Sequence, residues 1–143
     1  MDAASLKRAA LAARTFIVEH GGRAFELRLP SRHEVQVAWL RAGVKSKDDT
    51  AGLLVAGRDL VERAVVGWSR VTVGDILPDV EDTSPPVEFD RDLVPVLLDG
   101  HEDIAQALLS ALNDRLVARR AKGEAIEKNS PSDGPGPAAV ATE

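Results

Sequence analysis

The chain has 143 residues, a net charge of -5, and no cysteine, so disulfides, zinc-thiolate sites and thiol chemistry are excluded. A chain of this length forms one modest domain with a core of its own. Phe16, Phe25, Phe89, Trp39 and Trp68 are its only aromatics, so that core is aliphatic and base stacking on single-stranded nucleic acid is disfavoured. Charge is uneven: residues 67–114 carry 2 basic and 11 acidic groups, whereas residues 1–66 carry 11 basic and 8 acidic ones. The acidic block reads either as a solvated face or as a surface that repels nucleic acid and steers toward a basic partner.

The opening residues Met1–Arg8 lack the continuous apolar stretch of a signal peptide. No stretch approaches the roughly 20 apolar residues of a membrane helix, so a cytoplasmic location is expected. Residues 3–13 are alanine-rich and predict a short N-terminal helix, weak alone because nucleation is costly. Residues 14–20 and 23–29 flank Gly21-Gly22, a pair suited to the positive φ angles of a two-residue hairpin turn. That turn pairs His20 with Arg23, Val18 with Phe25 and Phe16 with Leu27, placing the apolar side chains on one face. An isolated hairpin is marginal, so a helix is expected to cover this face.

Pro30 ends the second strand, and Ser31-Arg32-His33-Glu34 matches a capping box. Val35, Ala38, Trp39 and Ala42 follow at helical spacing, and Gly43 stops the helix. A second helix starts near Asp49 or Thr50, with a stripe of Leu53, Gly57, Leu60, Val61 and Ala64. Val65-Val66-Gly67-Trp68 is expected to close it, with Gly67 as a left-handed cap and Trp68 folded over the helix end. Thr72 is placed to cap a short turn through Val73–Leu77, stopped by Pro78.

Residues 79–88 are acidic and contain proline, the composition of an exposed loop. Asp90 is placed to cap a helix running to Leu98, short or kinked because of Pro95, and Asp99-Gly100 turns the chain. From about Glu102 to Ala121, Ile104, Leu108, Leu112 and Leu116 repeat every four residues. Acidic residues at the start of this helix and arginines at its end suit the macrodipole. The remainder loses periodicity and becomes rich in proline, glycine and serine. The expected organisation is a helix over 1–13, one globular domain over 14–121 and a disordered tail over 122–143. The fold class is α+β and mostly α: an N-terminal β-hairpin packed against a compact bundle of about four to five helices.

No catalytic, metal-binding or cofactor-binding residues emerge. His20, His33 and His101 fall at turns and helix starts, and none has a second histidine at i+3 or i+4. There is no nucleophile elbow and no phosphate-binding glycine loop. Asp48-Asp49, Glu81-Asp82 and Glu102-Asp103 sit at expected loops or caps, where water holds carboxylates near their ordinary behaviour. The run from Asp79 to Asp90 lacks the glycine and terminal glutamate of a calcium loop. Arg115, Arg119, Arg120 and Lys122 form the best basic cluster, a weak footprint for DNA in an acidic chain. An enzyme is not expected, and neither cofactor nor small-molecule substrate is implied.

The stretch Leu60–Thr72, containing Val65-Val66-Gly67-Trp68, is followed by an acidic spacer, then Pro86-Val87-Glu88-Phe89, a leucine-rich segment through Leu98, and Asp103-Ile104 opening a long helix. This order, over roughly residues 14–121, resembles the tail assembly chaperones of long-tailed bacteriophages and prophages. The resemblance implies a non-enzymatic protein that coats the hydrophobic tape measure protein, helps recruit tail tube subunits, and leaves the finished tail. A chaperone for an apolar helical client needs an apolar groove with polar edges. Trp68, Phe89, Leu93 and Leu97 are the candidate partner-binding residues; for Trp68 and Phe89 simple core packing is the competing reading. The alternatives in function are a structural virion component, such as a head–tail completion or minor tail protein, and a small DNA-binding regulator.

Overall fold

A computed structural model describes residues 1–128, with side chains through Gly123. Residues 1–112 form one compact unit, and a second unit begins at Asn113. In chain order the elements are α1 (Ala3–Ala13), β1 (Thr15–His20), β2 (Arg23–Arg28), α2 (Arg32–Ala42), α3 (Thr50–Ala64), β3 (Val65–Ser69), α4 (Val73–Ile76), a 3-10 turn (Arg91–Leu93), α5 (Val94–Gly100) and α6 (Glu102–Lys128). The class is α+β and mostly α, as the sequence indicates.

The hairpin forms in the register set by its glycines. Gly21 and Gly22 have φ of 59° and 78°, and His20 pairs with Arg23, Val18 with Phe25 and Phe16 with Leu27. Phe25 and Leu27 are almost fully buried. The sheet has a third strand that periodicity did not reveal. Val65–Ser69 leaves α3 directly as β3 and pairs antiparallel with β2, giving the order β1-β2-β3. The expected left-handed cap at Gly67 is therefore corrected: Val65 ends α3 with φ -68° and ψ 118°, an extended conformation. Gly67 instead faces Glu26 where the β2–β3 register shifts. A Cβ on Gly67 would lie 2.8 Å from a Glu26 carboxylate oxygen and 3.5 Å from its Cβ, so the missing side chain permits this close pairing.

The helix ends follow local chemistry. Ser31 Oγ accepts from the Glu34 amide at 3.1 Å, and the Ser31 amide donates to Glu34 Oε1 at 2.9 Å. Gly43, at φ 67°, closes α2. Asp49 caps α3 by accepting from the Gly52 amide at 3.0 Å. Pro95 stands in the first turn of α5, where its missing amide costs no helical bond, so α5 is short rather than kinked.

The core draws on Phe25 and Leu27 from the sheet, Ala56, Leu60, Val61 and Ala64 from α3, Val94, Leu97 and Leu98 from α5, and Ile104, Leu108 and Leu112 from α6. Ala38 is the one fully buried residue of α2, and Trp39, expected on its inner stripe, is 39% exposed. In the second unit α6 continues to Lys128, so residues 122–128 of the expected tail are helical. The rest of that tail lies outside the described residues.

The acidic segment is exposed as expected, yet it is anchored. Val87 N donates to Val71 O at 2.8 Å, Val73 N to Pro85 O at 2.8 Å, and Gly74 N to Thr83 O at 3.0 Å. A Cβ on Gly74 would lie 2.4 Å from the Thr83 Cβ, so glycine is what lets the two segments meet.

Candidate functional site

The residues singled out in the sequence do not form one surface. Trp68 lies in β3 opposite Phe25 rather than over a helix end. Its indole Nε1 donates to Val87 O at 2.9 Å, and its ring meets Phe89 edge-on, with centroids 5.0 Å apart. The Arg91 guanidinium sits 5.9 Å from the Phe89 ring centre, and Arg91 Nη1 donates to Glu62 O at 3.1 Å. Half-buried Trp68 and Phe89 thus pin the segment after the acidic loop to the sheet. Leu93 is half-buried in the 3-10 turn. Leu97 is only 1% exposed, so its expected place on a partner-facing surface is corrected: it is core.

An open apolar groove lies elsewhere, between α3 and the first two turns of α6. Leu54, Val55, Val61, Ala105 and Leu109 give it apolar walls, and it encloses about 520 Å³. Leu54 and Val55 are 55% and 58% exposed. Four charged residues rim it: Arg58, Asp59, Glu62 and Glu102. Arg58 is already engaged, through Nε to Glu62 Oε2 at 2.9 Å and through Nη2 to Asp99 Oδ1. Asp59 pairs with Arg63 at 3.1 Å, and its other carboxylate oxygen, buried without a hydrogen bond, lies 3.9 Å from Arg41 Nη1. The rim therefore keeps a net negative charge. Gly57 brings the two helices together: a Cβ there would lie 3.1 Å from a Leu109 methyl.

Leu54 and Val55 fall off the buried stripe of α3, and this was the available signal in the sequence. Two adjacent large apolar residues on the outward side of an amphipathic helix have no core to enter. Their meeting with α6 could not be read from local pattern.

Two of the three histidines have polar partners within the fold. His20 Nε2 lies 3.0 Å from Asp103 Oδ2, and this contact holds the Asp103 carboxyl below its ordinary range. His101 Nε2 is 2.9 Å from the Asp75 carbonyl oxygen, and His33 is exposed. Among the described residues no group of three or more histidine or acidic side chains is arranged to hold a metal ion. No helix among them is long and apolar enough to cross a membrane. The chain matches no protein-family model, curated protein or solved structure.

Proposed function

We propose that the protein is a non-enzymatic binding module, a tail assembly chaperone whose client is a helical segment of a tape measure protein. The groove between α3 and α6 carries this reading. Its exposed Leu54 and Val55 offer apolar contact, and an amphipathic client helix would lay its apolar face there, with anchors one and two turns apart. The excess of carboxylates on the rim favours a client with lysine or arginine beside its apolar face. The same charge opposes a phosphate backbone, which weighs against the DNA-binding alternative.

Such a client is insoluble alone because its apolar face has nothing to cover it. The test is co-expression of a tape measure protein with the wild-type chain and with Leu54→Asp and Val55→Asp. Both sites are more than half exposed, so these variants fold with stability changed by about 0.5 kcal/mol or less. The expected result is a soluble complex with the wild type and an insoluble client with either variant. A client equally insoluble with and without the wild-type chain would overturn the proposal. A client rescued equally well by the variants would move the binding site off this groove.

A further inference from the structure

β1 is an edge strand, and the hairpin register fixes which of its backbone groups face outward. Leu29 N donates to Arg14 O at 2.7 Å, so Arg14 and Leu29 form a hydrogen-bonded pair. Hydrogen-bonded and non-bonded pairs alternate along an antiparallel ladder. Residues 16, 18 and 20 therefore bond to β2, and the amides and carbonyls of Thr15, Ile17 and Glu19 point away from it. Among the described residues no strand takes up that edge. Edge strands are normally blunted by lysine, proline, a bulge or a covering helix. β1 contains neither lysine nor proline, no register shift interrupts its pairing with β2, and the one carboxylate on it, Glu19, stands near its end rather than at its middle. The neighbouring helix α1 buries none of its residues, with Leu6 and Leu11 61% and 39% exposed. Ile17, at the middle of the edge, is 59% exposed.

We infer that this edge is a twofold interface, on which the β1 strand of a second copy of the chain pairs antiparallel with Ile17 opposite Ile17. The strand's own sequence selects that partner. Only this register lets all three outward residues bond, Ile17 with its counterpart and Thr15 with Glu19 in both directions. Shifting by two residues either way leaves one of the three without a partner. In the chosen register Phe16 meets Val18 on one face, a pairing that suits cross-strand packing. On the other face the glutamate meets a threonine rather than a like charge. Arg14 and His20 come opposite each other beyond, and each already has its own carboxylate, Glu34 and Asp103. The three-stranded sheet becomes six-stranded. The hairpin turn of one copy comes beside the C-terminal end of α1 in the other, giving that helix a neighbour. The interface is isologous and closes on itself.

The test is a charge exchange across the axis, read by light scattering and amide hydrogen exchange on the full chain. The wild type should show twice the 15.3 kDa chain mass, with the amides of Thr15, Ile17 and Glu19 protected in a concentration-dependent way. Ile17→Lys and Ile17→Glu each set like charges together at the axis and should weaken self-association at least about tenfold. Mixing the two variants should restore a heterodimer, because lysine then faces glutamate. A monomeric wild type overturns the inference. So does a dimer whose three edge amides exchange freely, or a mixture of variants that stays monomeric while the wild type dimerises. None of these results bears on the α3–α6 groove.

Discussion

Arg23 on β2 and Asp75 on α4, 52 residues apart in sequence, form a two-pronged ion pair that ties the sheet to the segment after it. Arg23 Nε donates to Asp75 Oδ2 at 3.0 Å and Nη2 to Oδ1 at 2.5 Å. The side chains are 19% and 12% exposed. The Thr72 amide adds a bond to Asp75 Oδ2 at 2.9 Å. Hydrogen bonding from Arg23 is the main influence on the carboxyl, opposed by burial and aided by Thr72, and it brings the Asp75 pKa down to about 2.

A pH dependence follows. The pKa of Asp75 is lower in the folded state than its ordinary 3.8, so its contribution is complete above that value and drains away as pH falls toward 2. Asp75→Asn should cost about 2–3 kcal/mol at neutral pH, because bringing the carboxyl from 3.8 down to about 2 is worth about 1.4 kcal/mol for each tenfold change in proton affinity. Urea unfolding at pH 7, 4 and 2 should show the gap between wild type and variant closing as pH falls. A gap that stays constant across this range would mean the pair contributes through packing alone.

Trp68→Phe keeps most of the ring against Phe89 and removes the hydrogen bond to Val87 O. The expected cost is about 1 kcal/mol. Trp68→Ala should cost about 3 kcal/mol, because the anchor of the segment after the acidic loop is lost. Client binding per folded molecule should not change in Trp68→Phe. A selective loss of binding at unchanged thermal midpoint would return Trp68 to the partner surface.

Leu97→Ala should lower stability by about 2–5 kcal/mol, the range for a fully buried leucine. The readout is the midpoint of chemical unfolding. A change below about 0.5 kcal/mol would contradict its place in the core.

Ser31→Ala removes the oxygen that accepts from the Glu34 amide, and about 1 kcal/mol should go with it. Glu34 also meets Arg28 at 2.9 Å and Arg14 at 3.3 Å. Burial opposes its charged form, yet the Ser31 amide and Arg28 hold the carboxyl below its ordinary range. Glu34→Ala should therefore cost more than Ser31→Ala in the same thermal melt, since it removes the ion pairs together with half of the cap.

What the sequence determined by itself is local. Gly21-Gly22 and the alternation around it fix the hairpin register, because a two-residue turn there pairs His20 with Arg23 and so puts Phe16, Val18, Phe25 and Leu27 opposite one another on one face. Ser31 and Glu34 start α2, Gly43 stops it, and Asp49 starts α3, because these residues satisfy orphan backbone groups within a few positions. The four-residue repeat of Ile104, Leu108 and Leu112 marks α6 because a helix brings those positions to one side. What only the tertiary structure decided is the fate of groups whose partners are distant. Val65–Ser69 is a strand because the β2 edge offers it a ladder, and Gly67 serves close approach to Glu26 rather than a helix end. Leu97 goes inward and Leu54 stays outside although both are leucines on helices, since burial depends on which neighbour each helix face meets. The groove is the product of that choice. Local pattern shows that α3 has apolar residues to spare, and only the packing of α3 against α6 at Gly57 and Leu109 turns them into a site.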